Sequence, residues 1–316
     1  MGTLSAPTWP ALPLHEWRDT RDTLQLWLQI IGKVRMRNTP LVNHWWNVPA
    51  YVTARGLTTG LMHHPDGESF QIDLDLREHR LQITTASGSE RAMPLREGPV
   101  KDFYAEFMDQ LDALSLRTEI WPMPVEIPGA IPVTTDDVHT TYRPEQAHDF
   151  WLALVRMLPV FERFRSRFLG KASPIHLFWG ALDLATTRFS GRPAPLHPGG
   201  APNCGPHVML EAYSHEVSSC GYWPDGADEG LFYSYAYPQP PGYADAAVEP
   251  AEASWSDEFG EFVLPYDAVR AARHPESTLM SFLQTTYDAA ANAARWDRAS
   301  LERPEIPAAP ETTTLP

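Results

Sequence analysis

Residues 69–88, SFQIDLDLREHRLQITTASG, carry the pattern on which the reading of the whole chain turns. Phe70, Ile72, Leu74 and Leu76 alternate with polar residues. A period of two puts the apolar set on one face of a strand and leaves the other face to water. Leu81 and Ile83 resume the alternation after a short polar break, with a Pro65-Asp66-Gly67 turn before the run and Ser87-Gly88 after it. With shorter strand-like segments at 51–55 and 59–63, the region reads as an antiparallel meander with one buried face.

Helical patterns flank this meander. Over 16–36, Trp17, Leu24, Trp27, Leu28, Ile31 and Val34 share a face, and beyond it Val100, Phe103, Tyr104, Phe107, Leu111 and Leu114 do the same. The order then repeats. A helix is expected over 144–169, opening on Pro144, a favoured first position. Strands follow at 175–188, 207–218, 231–237 and 259–264, and the closing helix carries Leu279, Phe282, Leu283 and Tyr287 on one face. The expected fold class is α+β, two tandem αββββα halves with antiparallel sheets flanked by helices, produced by internal duplication. The aromatic segments NHWWNVPAYVTARGLTTG and SPIHLFWGALDLATTRFSG stand at corresponding places. The division is a Pro-rich arm at 1–13, halves at 14–118 and 144–302, a linker at 119–143, and a disordered tail at 303–316, which has hardly any large apolar group. The second half is longer because of two loops, 189–206 and 238–257. Long irregular loops in a compact domain belong to binding sites, so the site is expected there.

Composition narrows the function classes. Apolar residues make up 43% of the 316, enough to build a core, and the net charge of −15 comes without a basic stripe. A nucleic-acid partner needs such a stripe, so none is expected, and a small-molecule ligand is. No run of apolar residues is long enough to span a membrane. The start lacks the pattern of a secretory signal, and two cysteines cannot make a disulfide framework, so the expected location is cytoplasmic.

Phosphate loops, nucleophile elbows and standard zinc spacings are missing. The richest constellation is the segment 208–216, read as a strand. On that reading Glu211, Tyr213 and His215 form a polar row opposite Val208, Leu210 and Ala212. Three readings stand. His215 acts as general acid/base beside Glu211 and Tyr213; or His176, Glu211 and His215 hold a divalent metal, the one cofactor the pattern suggests; or the row is a structural hydrogen-bond network. Arg188 and Arg192 bracket Ser190-Gly191 and are candidates to grip an anionic substrate group. Trp223 and Tyr235 are candidates for a pocket wall.

The phrases HLFWGALDLATTRFSGR (176–192), EAYSHEVSSCGYWPDG (211–226), LFYSYAYPQP (231–240) and EFVLPYDAVR (261–270) resemble a bacterial family catalogued as a domain of unknown function. The resemblance runs from LPLHEWRDT to WDRASLE. It implies a bacterial, non-secreted protein and carries no activity, cofactor or site residue. The leading expectation is a small-molecule enzyme with its site in the second half. Its rival is a non-catalytic ligand- or protein-binding module that uses a saddle between the halves.

Overall fold

A computed structural model describes residues 8–304. Residues 1–7 of the expected arm and 305–316 of the expected tail lie outside the described residues. The rest of the arm is packed down. Trp9 is largely buried with its ring centroid 6.0 Å from that of Tyr266, whose hydroxyl donates to the Pro10 carbonyl at 2.8 Å.

Helix α1 (Leu14–Arg37) begins after Pro13 with Glu16 in its first turn and ends with Arg35 and Arg37 in its last, charges that suit the two ends of the helix dipole. It is buried well beyond the one expected face: Gln29, Lys33 and Arg35 are enclosed together with Trp27, Ile30 and Val34. Those polar groups hold other segments to the helix. The Gln29 amide exchanges two hydrogen bonds with the Val125 backbone at 2.8 and 2.9 Å, and Arg35 donates to the carbonyls of Asn47 and Pro49 at 2.8 and 2.5 Å.

The first meander has more strands than expected. It comprises β1 (Tyr51–Val52), β2 (Gly56–Thr58), β3 (Met62–His63), β4 (Ser69–Asp75), β5 (Arg80–Thr85) and β6 (Glu90–Pro94). The order is β1-β2-β4-β5-β6, with β3 also paired to β4. Phe70, Ile72, Leu81 and Ile83 are fully buried, as the alternation requires. Helix α2 (Val100–Ala113) closes the half, and Phe103 stacks on Trp27 at 4.5 Å. Residues 114–143 form no helix or strand.

Helix α3 (Pro144–Ser166) runs on through Pro159. The second sheet contains β7 (His176–Phe178), β8 (Asp183–Pro193), β9 (His215–Trp223), β10 (Leu231–Tyr237), β11 (Ser254–Ser256) and β12 (Glu261–Pro265), in the order β11-β12-β10-β9-β8-β7. The run expected as one strand over 175–188 is the β7/β8 hairpin. The strand expected from 207 begins only at His215, because Pro206–Ala212 is helix α4. Pro at the first helical turn followed by Met, Leu, Glu and Ala favours helix, and none of the seven residues is buried, so Val208, Leu210 and Ala212 face no core. Helices α5 (Tyr266–Ala271), α6 (Pro275–Ala293) and α7 (Arg298–Leu301) complete the chain. The fold is thus α+β with two antiparallel six-stranded sheets.

The sheets meet at the first strand of each meander, where Ala50 and Leu177 exchange two backbone hydrogen bonds of 3.0 Å. Beside this seam the Trp179 indole donates to the Val48 carbonyl at 2.9 Å and lies on Gly32 of α1. A Cβ on Gly32 would stand 2.0 Å from the indole nitrogen, so only glycine admits it. One contiguous core holds Trp27, Phe70 and Phe107 from the first half with Phe161, Phe232 and Leu283 from the second. Among the described residues no helix is long and apolar enough to cross a membrane.

Candidate functional site

Along β8, Leu184, Thr186 and Arg188 are buried toward the helices, so Asp183, Ala185, Thr187 and Phe189 face the other way. Register carries that second face across the sheet: Ala185 opposes Gly221, which opposes Tyr233, and Thr187 opposes Ser219, which opposes Tyr235. These residues form the floor of a pocket of about 380 Å³. Its walls and roof come from Lys33 and Met36 of α1, from His44–Val48, from Trp121–Glu126 and from the loop and helix between Asn203 and Tyr213. The size and mainly apolar lining suit a small organic molecule.

Gly221 shapes the floor. A Cβ there would lie 2.4 Å from the Tyr233 hydroxyl, so the bare position lets that phenol lie across β9 and donate to Asp183 Oδ2 on β8 at 2.5 Å. Burial raises the Asp183 pKa to about 6 against this hydrogen bond. Glu126 lines the pocket and is an exposed residue. Even so, surrounding protein pushes its carboxyl up to about 7, with the Asp183 charge adding to the shift. Glu261 rises to about 7 for the same two reasons. Neither Asp183 nor Glu261 has a cation close enough to offset its burial.

At the far end the roof is pinned by strained backbone. His44 and Trp45 both adopt left-handed conformations, with φ of 59° and 62°. The His44 N–H donates to Glu211 Oε1 at 2.9 Å, and Trp45 Nε1 donates to the Val208 carbonyl at 3.0 Å. His44 Nδ1 lies 3.1 Å from each of the Glu211 and Ala212 carbonyl oxygens, which can only accept, so Nδ1 carries the proton. Nε2 is then the acceptor for Lys171 Nζ at 2.6 Å. Burial, then the Lys171 charge, lowers the His44 pKa, and burial lowers that of Lys171. Lys33, also buried, falls to about 8 while donating to the Trp121 and Met123 carbonyls.

The residues singled out in the sequence are dispersed. Because 206–212 is helical, Glu211, Tyr213 and His215 do not form a strand row. Glu211 holds the His44 turn, and His215 Nδ1 sits 3.0 Å from the Ser214 hydroxyl. Tyr213 does reach the pocket, where its hydroxyl meets that of Tyr235 at 2.9 Å. His176 is fully buried among Trp46, Tyr51 and Phe178 with neither ring nitrogen hydrogen-bonded. Burial, followed by the charges of Arg35 and Arg165, lowers its pKa to about 3. The structure does not join His176 to Glu211 and His215. Among the described residues no group of three His, Cys, Asp or Glu side chains is arranged to hold a metal ion.

Both expected anion-gripping arginines are already engaged. The Arg188 guanidinium lies on the helix side, 3.5 Å from the Phe164 ring centroid and 4.2 Å from that of Tyr287, and donates to the Phe164 carbonyl. Arg192 pairs with Glu216 at 2.6 Å and donates to the Ala294 carbonyl at the end of α6 at 2.7 Å. Trp223 packs edge-on against Phe259 at 5.7 Å and does not line the pocket, whereas Tyr235 does. Trp45 and Trp179 line it too. Lys33, His44, Glu126 and Lys171 were missed. The one legible hint was Lys33, a lone cation in the apolar run IIGKV.

No curated protein and no solved structure matches the chain. A family model described as Family of unknown function (DUF5996) matches residues 9–303, and the chain belongs to that family.

Proposed function

We propose that this pocket binds a small, mainly apolar organic molecule and that Asp183, with Glu126 beside it, moves a proton on that molecule. The carrying observation is a carboxyl on an aromatic floor, hydrogen-bonded by one phenol at 2.5 Å and left without a cation. A carboxyl whose pKa approaches neutrality exchanges protons efficiently near pH 7. This reading keeps the expected second-half site and drops the arginine-held anionic group, since Arg188 and Arg192 are spent elsewhere. Thermal-shift screening of small aromatic and alicyclic fragments tests it. Wild type should gain stability from some of them, and Ala212→Trp, which plugs the roof, should not. Equal stabilisation of both proteins would place the binding elsewhere and end the proposal.

A second reading has its own support. Part of the roof comes from the first half, through Lys33, Met36 and His44–Val48, so the pocket is also a clasp between the halves. On that reading the protein is a non-catalytic binder, and Asp183→Asn leaves fragment affinity intact with no turnover to lose. We further propose that halves spanning 14–118 and 144–302, joined by the linker 119–143, descend from one duplicated unit. The antiparallel meeting of their first strands supports this. The two free cysteines, Cys204 and Cys220, favour a cytoplasmic setting.

A further inference from the structure

Four hydroxyls stand in the pocket as two hydrogen-bonded pairs. Thr187 Oγ1 lies 2.9 Å from Ser219 Oγ, and Tyr235 Oη lies 2.9 Å from Tyr213 Oη. Ser219 stands opposite Tyr235 in the register, close enough for its hydroxyl to favour the ionised form of that phenol. All four residues line the pocket. Where Tyr235 donates to Tyr213, the Tyr213 proton is left to point into the pocket. At the Tyr213 end the phenol is held rigidly, with His197 stacked on it at 4.5 Å and Tyr237 edge-on at 5.2 Å. Hydroxyls donating in sequence polarise one another, which strengthens the last donor. Consistent with this, the Tyr213 pKa is raised by burial only to about 12, with the Tyr235 hydrogen bond opposing the rise, while Tyr233 and Tyr235 lie well above their usual value.

The other end of the floor accepts protons. Tyr233 stacks on Tyr235 at 6.1 Å and turns its hydroxyl to Asp183. The Tyr233 and Tyr235 rings lie 6.1 Å apart, and their hydroxyls serve Asp183 and Tyr213 respectively. That separation leaves room for a carbonyl group and its neighbouring carbon.

We propose that Tyr213 receives the oxygen of a carbonyl compound while Asp183 removes a proton from the adjacent carbon, making the site one for keto–enol proton transfer. The inference rests on the pocket being the ligand site. In the step, the C–H bond breaks and its electron pair forms the new carbon–carbon double bond. The carbonyl π pair moves onto oxygen, where the Tyr213 hydrogen bond meets the growing charge. Asp183 holds the proton and returns it to the same carbon or to one conjugated with it, so no other reactant is consumed.

The test uses two probes on the full chain. Naphthalene reports whether the pocket takes an apolar guest. 4-Nitrophenol, whose colour reports ionisation, imitates the enolate oxygen and is bound to Asp183→Asn, in which the base is neutral as it is after proton transfer. Asp183→Asn should bind the nitrophenolate form, and adding Tyr213→Phe should weaken that binding roughly 10- to 100-fold, the range for a hydrogen bond to a charged oxygen. Naphthalene affinity should stay unchanged, which also shows that the pocket is intact. Tyr235→Phe, one link back, should weaken nitrophenolate binding by a smaller factor and keeps the test available if Tyr213→Phe does not fold. Naphthalene binding with no loss of nitrophenolate in either tyrosine variant overturns the role of Tyr213 and leaves the pocket standing. No naphthalene binding to wild type overturns the pocket and this proposal with it.

Discussion

On the first sheet, the face turned from the helices carries Gln71, Asp73, Gln82 and Thr84, while on the second the face turned from the helices carries Asp183, Ala185, Thr187, Ser219, Tyr233 and Tyr235. Both sheets are antiparallel meanders entered from a long helix and closed by helices. One meander ends at water, and the other is roofed by the loop that precedes α4, by α4 itself and by residues of α1 and the His44 turn. The architecture supplies a flat surface in either half. What turns a surface into a pocket is an insertion long enough to cover it and aromatic side chains beneath.

The largest expected effect concerns what the halves share. Phe70→Ala and Phe232→Ala each remove a fully buried ring, one per half, and should each cost about 3–5 kcal/mol. Because the core is contiguous, both should lower one common unfolding transition. Two separate calorimetric transitions would show that the halves melt independently and would break the comparison as drawn.

A smaller effect sharpens the contrast between the faces. Gly221→Val forces a side chain between the Leu184 carbonyl and the Tyr233 hydroxyl, 2.6 and 2.4 Å from the Cβ position, and should cost about 1–3 kcal/mol. Gln82→Ala on the solvated face of the first sheet should stay within about 0.5 kcal/mol of wild type. Denaturant titrations that gave equal losses would mean that the second face is not built around the Tyr233–Asp183 contact.

The third effect depends on pH. Asp183 has its folded pKa raised to about 6 from an ordinary 3.8, so its contribution is fully present below the lower value and is lost as pH rises through the upper one. Asp183→Asn should flatten the stability profile in that window and leave the variant more stable than wild type at pH 7, on the order of 1 kcal/mol. Urea midpoints measured from pH 4 to 8 check this. A variant less stable than wild type at neutral pH would mean that the carboxylate is compensated. Smallest of all, Arg192→Ala should cost no more than about 1 kcal/mol, as an exposed ion pair does, and should leave fragment affinity unchanged. A large loss of affinity would restore that arginine to the binding site.

Much of the fold was legible because it rests on local periodicity. The β4/β5 alternation, the α2 and α6 stripes and the strand at 231–237 all appear where their patterns put them. Helix α4 misled because Val208, Leu210 and Ala212 happen to alternate on a segment that buries nothing, so the pattern reported no core. The site was hidden for another reason. Tyr233 meets Asp183 across an intervening strand, and His44 meets Lys171 across 127 positions, contacts set by register and by a turn in left-handed backbone. Tyr213 does line the pocket, though from another element: its neighbours suggested a strand, and it stands at the end of a helix.

Among the described residues a single rung from Ala50 to Leu177 joins one sheet's backbone to the other, and the pocket has its floor on one side of that rung and part of its roof on the other. A molecule seated there bears on both sides at once. The factor by which a closed joint favours the guest is the factor by which the guest favours a closed joint, because coupling is reciprocal. The part of guest affinity that depends on a closed seam therefore equals the closure that a guest confers, and hydrogen exchange at the Ala50 and Leu177 amides would measure it without knowledge of the guest's chemistry.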